Sequence, residues 1–300
     1  MPPEPSDPPA PAVGGADAVA LDAAIGDIDW RALPEGARRG AFAAPSGTLA
    51  TLAIGEPTAP TVVLVPGITG SKEDFLLMLP LLAAAGLHAL SFDMAGQYES
   101  AAAGPVSGRY TERLFVDDLL ALLGSVRTPA HVLGYSFAGT VAQHALTLRP
   151  ELFASLTLLG TPPVPGDALH AMAHFGPLSP LIPSRLGAAF MIAGVRANYT
   201  RVPPGRLRFV RERFALTRRS SVIDAVALMR RTPDLASAVR SSGRPVLVAV
   251  GEHDLWPAAA HRSFAERLGA RLVSYPTGHS PCETTPHQLV RDMLALFPPG

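Results

Sequence analysis

Five short apolar runs recur along this chain: TVVLVPG (61–67), LHALSFD (87–93), AHVLGYS (130–136), SLTLLG (155–160) and PVLVAVG (245–251). Several show no period-two polar alternation. A strand with one wet face alternates apolar and polar residues, whereas a strand apolar at both parities must be covered on both faces. Two further runs, LATLAI (49–54) and ARLVSYP (270–276), complete the series. Helical patterns separate the runs. In YTERLFVDDLLALLGSV, residues Phe115, Leu119, Leu122 and Leu123 fall on one helix face. KEDFLLMLPLLAAAG places acids in its first turn, FAGTVAQHALTL follows Ser136, PAAAHRSFAERLG starts with a proline, and PHQLVRDMLALF closes the chain. Strand and helix in alternation predict an α/β protein with a doubly wound, mostly parallel sheet.

Composition sets the limits of this reading. Apolar residues make up 48% of the 300 residues, enough for a large core around one sheet, and charged residues only 17%. That balance argues against a disordered or nucleic-acid-coating chain. A net charge of zero leaves no global field toward nucleic acid or an anionic membrane. Cys282 is the single cysteine, so an intramolecular disulfide and a four-cysteine zinc site are excluded. The opening MPPEPSDPPAPAVGG has neither a basic region nor an apolar core of a secretory signal, and residues 1–20 read as a solvated Pro/Ala-rich tail. The longest apolar stretch, FLLMLPLLAAAGLHAL, is broken by Pro80 and Gly86 and reads as a core helix entering a strand, so a cytoplasmic protein without a membrane span is expected.

One interval breaks the rhythm. Between 161 and 243 no buried strand is evident, but GRLRFVRERFAL and VIDAVALMRR are amphipathic. This segment is expected to be a helical cap inserted into a core made of 21–160 and 244–300. It holds twelve arginines against the four acids Asp167, Glu212, Asp224 and Asp234. Two readings stand: a solvated cationic face, or a cap that attracts an anionic substrate or an acidic carrier. Lysine is nearly absent, Lys72 being the lone one, which reads as a codon bias.

Ser136 sits where a buried run ends and a helix begins, in Gly134-Tyr135-Ser136-Phe137-Ala138. A lone serine there is also a plain helix cap. A serine hydroxyl becomes a nucleophile only when a base takes its proton and a third group fixes that base. Asp254 follows the run 245–251, and His279 lies in the Gly-flanked loop after 270–276. Serine, acid and histidine thus each lie beyond the carboxyl end of a predicted strand, the edge at which open parallel sheets bind ligands.

From about residue 40 onward the chain resembles the α/β-hydrolase-fold superfamily. The resemblance is carried by GYSFA at the nucleophile turn, by LVPGITGSKEDF after the first buried strand and by FDMAGQYES after the second. It implies catalytic roles for Ser136, Asp254 and His279, and an oxyanion hole from the backbone N–H groups of Ile68 and Phe137. The last position of GEHD favours Asp254 over Glu252 on the same pattern. Pro66 stands where the family usually has His, Ala95 where it often has Arg, Tyr98 where it has Gly, and Ala138 in place of the second elbow Gly. The combination of GITGSKEDF with GQYES is similar to a group of mostly uncharacterised α/β-fold hydrolases. The resemblance implies a serine hydrolase that cleaves a carboxylic ester or thioester through an acyl-enzyme, with no metal or cofactor and a small-molecule acyl substrate. The same triad serves carbon–carbon-bond hydrolases and cofactor-free perhydrolases or haloperoxidases. A non-hydrolytic cyclase or binding protein uses the pocket alone. A serine at the nucleophile position argues against haloalkane dehalogenase or epoxide hydrolase chemistry.

Other polar residues read as structural. His170 and His174 are spaced i, i+4 but lack a third metal ligand. His131 and His144 flank the turn and read as packing histidines, Asp93 ends the wrong strand and braces a loop, and Cys282 is an apolar filler. Trp256, Phe175, Phe190 and Met191 line an acyl pocket or belong to the core.

Overall fold

A computed structural model describes residues 15–105, 107–169 and 202–297. Its strands are β1 (Arg38–Ala44), β2 (Gly47–Ile54), β3 (Thr61–Val65), β4 (His88–Phe92), β5 (Ala130–Tyr135), β6 (Phe153–Leu159), β7 (Val246–Gly251) and β8 (Arg271–Tyr275). They form one eight-stranded sheet in the order β1-β2-β4-β3-β5-β6-β7-β8. Pairing is antiparallel for β1 with β2 and for β2 with β4, and parallel from β4 to β8. All the strand runs anticipated from apolar patterning are present. β1 is the addition: it is an exposed edge whose residues carry no buried periodicity, so no apolar signal marks it.

The sheet is covered on both faces, as the unbroken apolar parity requires. Val63, Val65, Val132 and Leu156 belong to one buried cluster with Phe115, Leu119, Val141 and Phe264. Val62, Leu64, Leu133 and Leu247 belong to the other, with Leu79, Leu82, Leu289 and Met293. Neighbouring residues of β3 thus point into opposite cores. The first cluster is closed by helices α3 (Glu112–Ser125), α4 (Phe137–Leu148) and α8 (Ala258–Leu268), the second by α2 (Leu79–Ala84), the short α9 (Pro281–Thr284) and α10 (Pro286–Leu294).

Two departures from the sequence reading concern boundaries. Helix α1 (Gly15–Ala23) includes residues 15–20, which composition assigns to the tail. Its Asp22 carboxylate accepts the N–H groups of His287 at 2.9 Å and Gln288 at 3.1 Å. These are first-turn donors of α10 without an intrahelical partner, so Asp22 caps that helix from a distance in sequence. Among the described residues, the interval between β6 and β7 holds three helices, α5 (Pro204–Leu216), α6 (Arg219–Met229) and α7 (Ala236–Ser241), and an isolated antiparallel bridge between Gly166 and Thr232. Yet Val239 of α7 is fully buried in the same cluster as the sheet, so the boundary drawn at 243 divides what packing joins. His170, His174, Phe175, Phe190 and Met191 lie outside the described residues.

His131 shows how the core treats a polar side chain. Its Nδ1 is 2.8 Å from Ser155 Oγ, and its ring stacks on Phe297 with centroids 3.5 Å apart. Burial lowers its pKa to about 4. The neutral form is therefore the folded one, and its stabilising contribution is complete above the unfolded value near 6.5 and lost as pH falls toward 4. Urea unfolding across this range is expected to show the wild-type midpoint falling relative to that of His131→Phe, which cannot titrate.

Candidate active site

The turn after β5 sets the geometry. Ser136 has φ 54° and ψ −124°, a conformation that L-residues rarely adopt. Its N–H donates to Leu159 O at 2.7 Å, and its carbonyl accepts from Gly139 N at 2.9 Å. A Cβ on Gly134 would stand 2.6 Å from Ala138 O and from Gly139 Cα, so backbone fills the space a side chain would need. A Cβ on Gly139 would meet Thr161 Oγ1 at 1.9 Å. The strict glycines are therefore Gly134 and Gly139, while Ala138 fits, fully buried.

Loops from the ends of β3, β7 and β8 converge on this serine. The loop after β3 passes directly against it: a Cβ on Gly67 would lie 3.1 Å from Ser136 Cβ. Ile68 is the next residue, and Phe137 is the first residue of α4, whose N–H has no intrahelical partner. His279 Nε2 lies 3.2 Å from Ser136 Oγ. Its Nδ1 is hydrogen-bonded to Asp254 Oδ1, which also accepts Leu255 N–H at 2.6 Å. The acid and histidine loops are pressed together at Gly251, where a Cβ would lie 1.9 Å from Gly278 O. Gly160, at φ 49°, leaves room for the imidazole, since a Cβ there would come within 2.9 Å of His279 Cε1. Tyr135 and Trp256 flank the ring at centroid distances of 5.3 and 5.9 Å. Asp254 is the acid that faces His279, while neighbouring Glu252 is exposed.

Residues 62–292 match the profile of the Alpha/beta hydrolase family. The chain belongs to that family. RutD of Stutzerimonas stutzeri, which bears the name of a carbamate hydrolase, is 36% identical over 103 residues, 34% of this chain and 37% of RutD. Bifunctional epoxide hydrolase 2 of Rattus norvegicus is 27% identical over 109 residues, 36% of this chain and 20% of that protein. The matched stretch therefore spans well under half the length of either relative. The solved structure of a hydrolase from Pseudomonas aeruginosa PA01 superposes with a TM-score of 0.68 at 27% identity, covering 87% of this chain and 98% of that one.

In this member of the alpha/beta hydrolase family, burial of charge distinguishes the site. Asp254 is 5% exposed. Burial alone would raise its pKa, but His279 beside it, with His261 on its other side, holds the carboxyl far below the usual range. Sequence reasoning missed His261. The available signal was its phase: His261, Phe264, Ala265 and Leu268 share the buried face of α8.

A second buried group ties the insertion to the site loops. Arg206 Nη2 is 2.6 Å from Asp74 Oδ1, and its Nε donates to Glu283 Oε2 at 2.9 Å. Arg213 also bonds to Asp74. Asp74 follows the loop containing Ile68, and Glu283 follows His279 by four residues. Burial raises the Asp74 pKa, but Arg213 and Arg206 outweigh it and hold the carboxyl below its usual range. Two of the twelve insertion arginines are thus internal, in phase with the apolar Phe209 and Val210, and not part of a solvated or ligand-facing surface.

The chain's lone lysine is internal too. Lys72 Nζ is 3.0 Å from Asp93 Oδ2 and 2.6 Å from Glu99 Oε2, and its N–H donates to Asp93 Oδ1 at 2.7 Å. Asp93 thereby braces two loops, and burial pushes its pKa up to about 7 despite Lys72. Tyr98, at the position where a glycine is expected, does adopt a glycine-like φ of 42°. Its ring is held by Phe209 edge-on at 5.7 Å and by Lys72 at 4.9 Å, contacts that offset the strain. No helix among the described residues is long and apolar enough to cross a membrane, and no group of three or more His, Cys, Asp or Glu among them is placed to hold a metal ion.

Without Arg206 the Glu283 carboxylate loses its guanidinium while Asp74 keeps Arg213, and losing one partner of a buried pair costs about 3–5 kcal/mol. Arg206→Ala is expected to lower the urea unfolding free energy by about that amount. Arg208→Ala, on the exposed face of the same helix, should change it by less than about 0.5 kcal/mol.

Proposed function

We propose that this chain is a serine hydrolase that cleaves carboxylic esters or thioesters through an acyl-enzyme. The observation that supports it most is a single imidazole, His279, placed between the Ser136 hydroxyl at 3.2 Å and the buried carboxylate of Asp254. In this reading His279 Nε2 takes the Ser136 proton as Oγ attacks the substrate carbonyl carbon. Asp254 stays ionised, fixes the tautomer of His279 and stabilises the imidazolium. The oxyanion of the tetrahedral intermediate is held by the N–H groups of Ile68 and Phe137, each typically worth ~3 kcal/mol of barrier. Collapse expels the alcohol or thiol, which takes the proton from His279. Water, activated by the same imidazole, then attacks the acyl carbon and restores the serine.

The internal pairing of Arg206 and Arg213 lessens the positive charge available to an anionic substrate, and this supports neutral esters alongside thioesters. A fluorophosphonate probe tests the core of the reading. The wild type is expected to label, and Ser136→Ala and His279→Ala to lose labelling while keeping wild-type circular dichroism. A folded wild type that does not label would refute it. Among substrates, a panel of p-nitrophenyl esters of rising chain length beside acyl-thioesters is expected to show turnover that vanishes in Ser136→Ala. An aryl carbamate belongs in that panel because of the name RutD bears.

A further inference from the structure

The Asp254 carboxylate is flanked by two histidines, and only one of them has a part in the chemistry described above. Oδ1 is fully engaged by His279 Nδ1 and Leu255 N–H. Oδ2 faces His261 Nε2 at 2.9 Å, with both side chains 1% exposed. The separation is that of a hydrogen bond, although the N–H direction is off line: among the described residues neither ring nitrogen of His261 nor Oδ2 has an aligned partner. A buried carboxylate oxygen with no donor is costly, and His261 is the donor within reach. Trp256 packs near both imidazoles, with ring centroids 6.2 Å from His261 and 5.9 Å from His279, and its own N–H is fixed to Ala168 O at 2.8 Å, so the His261 ring is confined by packing on that side. Catalytic hydrogen bonds are often poorly aligned in an unliganded site and tighten as charge develops.

We propose that His261 is a positioning residue of the hydrolytic machinery. Its Nε2–H holds Oδ2 of Asp254, so that Oδ1 stays turned toward His279 while that ring gains and returns the serine proton. The proposal rests on the triad reading. Its physical content is that a carboxylate held at one oxygen alone can swing, whereas one held at both oxygens presents a fixed acceptor.

The test compares second-order rates of fluorophosphonate labelling in the full chain carrying His261→Gln, His261→Asn and His261→Leu, with melting curves recorded alongside. Glutamine places an N–H near the position of His Nε2; asparagine is too short to reach Oδ2, and leucine has no donor. Labelling by the Gln variant is expected within about threefold of wild type, and by the Asn and Leu variants slower by roughly ten- to a hundredfold, the effect of one hydrogen bond to a charge. Should leucine fail to fold, the contrast between Gln and Asn decides alone. The same substitutions in an Asp254→Ala background are expected to leave the residual rate unchanged, because His261 acts through that carboxylate. Asn or Leu variants that label at the wild-type rate, or a Gln variant as slow as Leu, would overturn the proposal and leave His261 a packing residue. A wild type that does not label at all would overturn the triad reading with it.

Discussion

The backbone conformation at Ser136 is the constraint on which the site depends. A non-glycine residue at φ 54° costs on the order of 1–3 kcal/mol and persists only where its surroundings over-determine it. Here they do so from three strands. Leu159 at the end of β6 accepts the Ser136 N–H, Gly67 beyond β3 lies against its side chain, and Gly134 on β5 admits the carbonyl of Ala138. The strain lifts the hydroxyl above the sheet edge and opens α4 immediately behind it. Position, exposure and a nearby unpartnered N–H therefore follow from one turn.

Behind that turn the protein buries several charged groups. Asp254 sits between two imidazoles, Asp74 beneath two guanidinium groups, and Lys72 among three carboxylates. Taking such groups out of water is costly, so their contribution to stability over an apolar core is small. What they do provide is connection. Each joins loops distant in sequence, and two of the three involve the segment that runs from Gly67 to Asp74. The carboxyl edge of the sheet is thereby held by directional contacts where apolar packing alone would permit sliding.

The sequence makes the strand–helix rhythm legible because strands covered on both faces leave an unbroken apolar signature, and helices leave a stripe. β1 had no signature to leave, being an exposed edge. That Ser136, Asp254 and His279 lie at the carboxyl edge of the sheet was legible because each follows an apolar run, while the preference for Asp254 over Glu252 came from the family resemblance. His261, Arg206 and Arg213 were not, since a charged or titratable side chain on a helix is read by default as solvated. Their phase with apolar neighbours was the clue, and it points to burial without naming a partner.

The sequence by itself therefore determined the sheet, its double covering and the three loops that meet at its edge. These are properties of local periodicity and of residues at the ends of elements. Only the tertiary structure decided that Asp254 has a second histidine, that two insertion arginines are held by core acids, and that Tyr98 takes a glycine's conformation. Those outcomes depend on which groups meet in the folded chain, whether from the next helix, as His261 meets Asp254, or from 139 residues away, as Arg213 meets Asp74, and on whether desolvation is offset once they meet; neither is encoded in spacing.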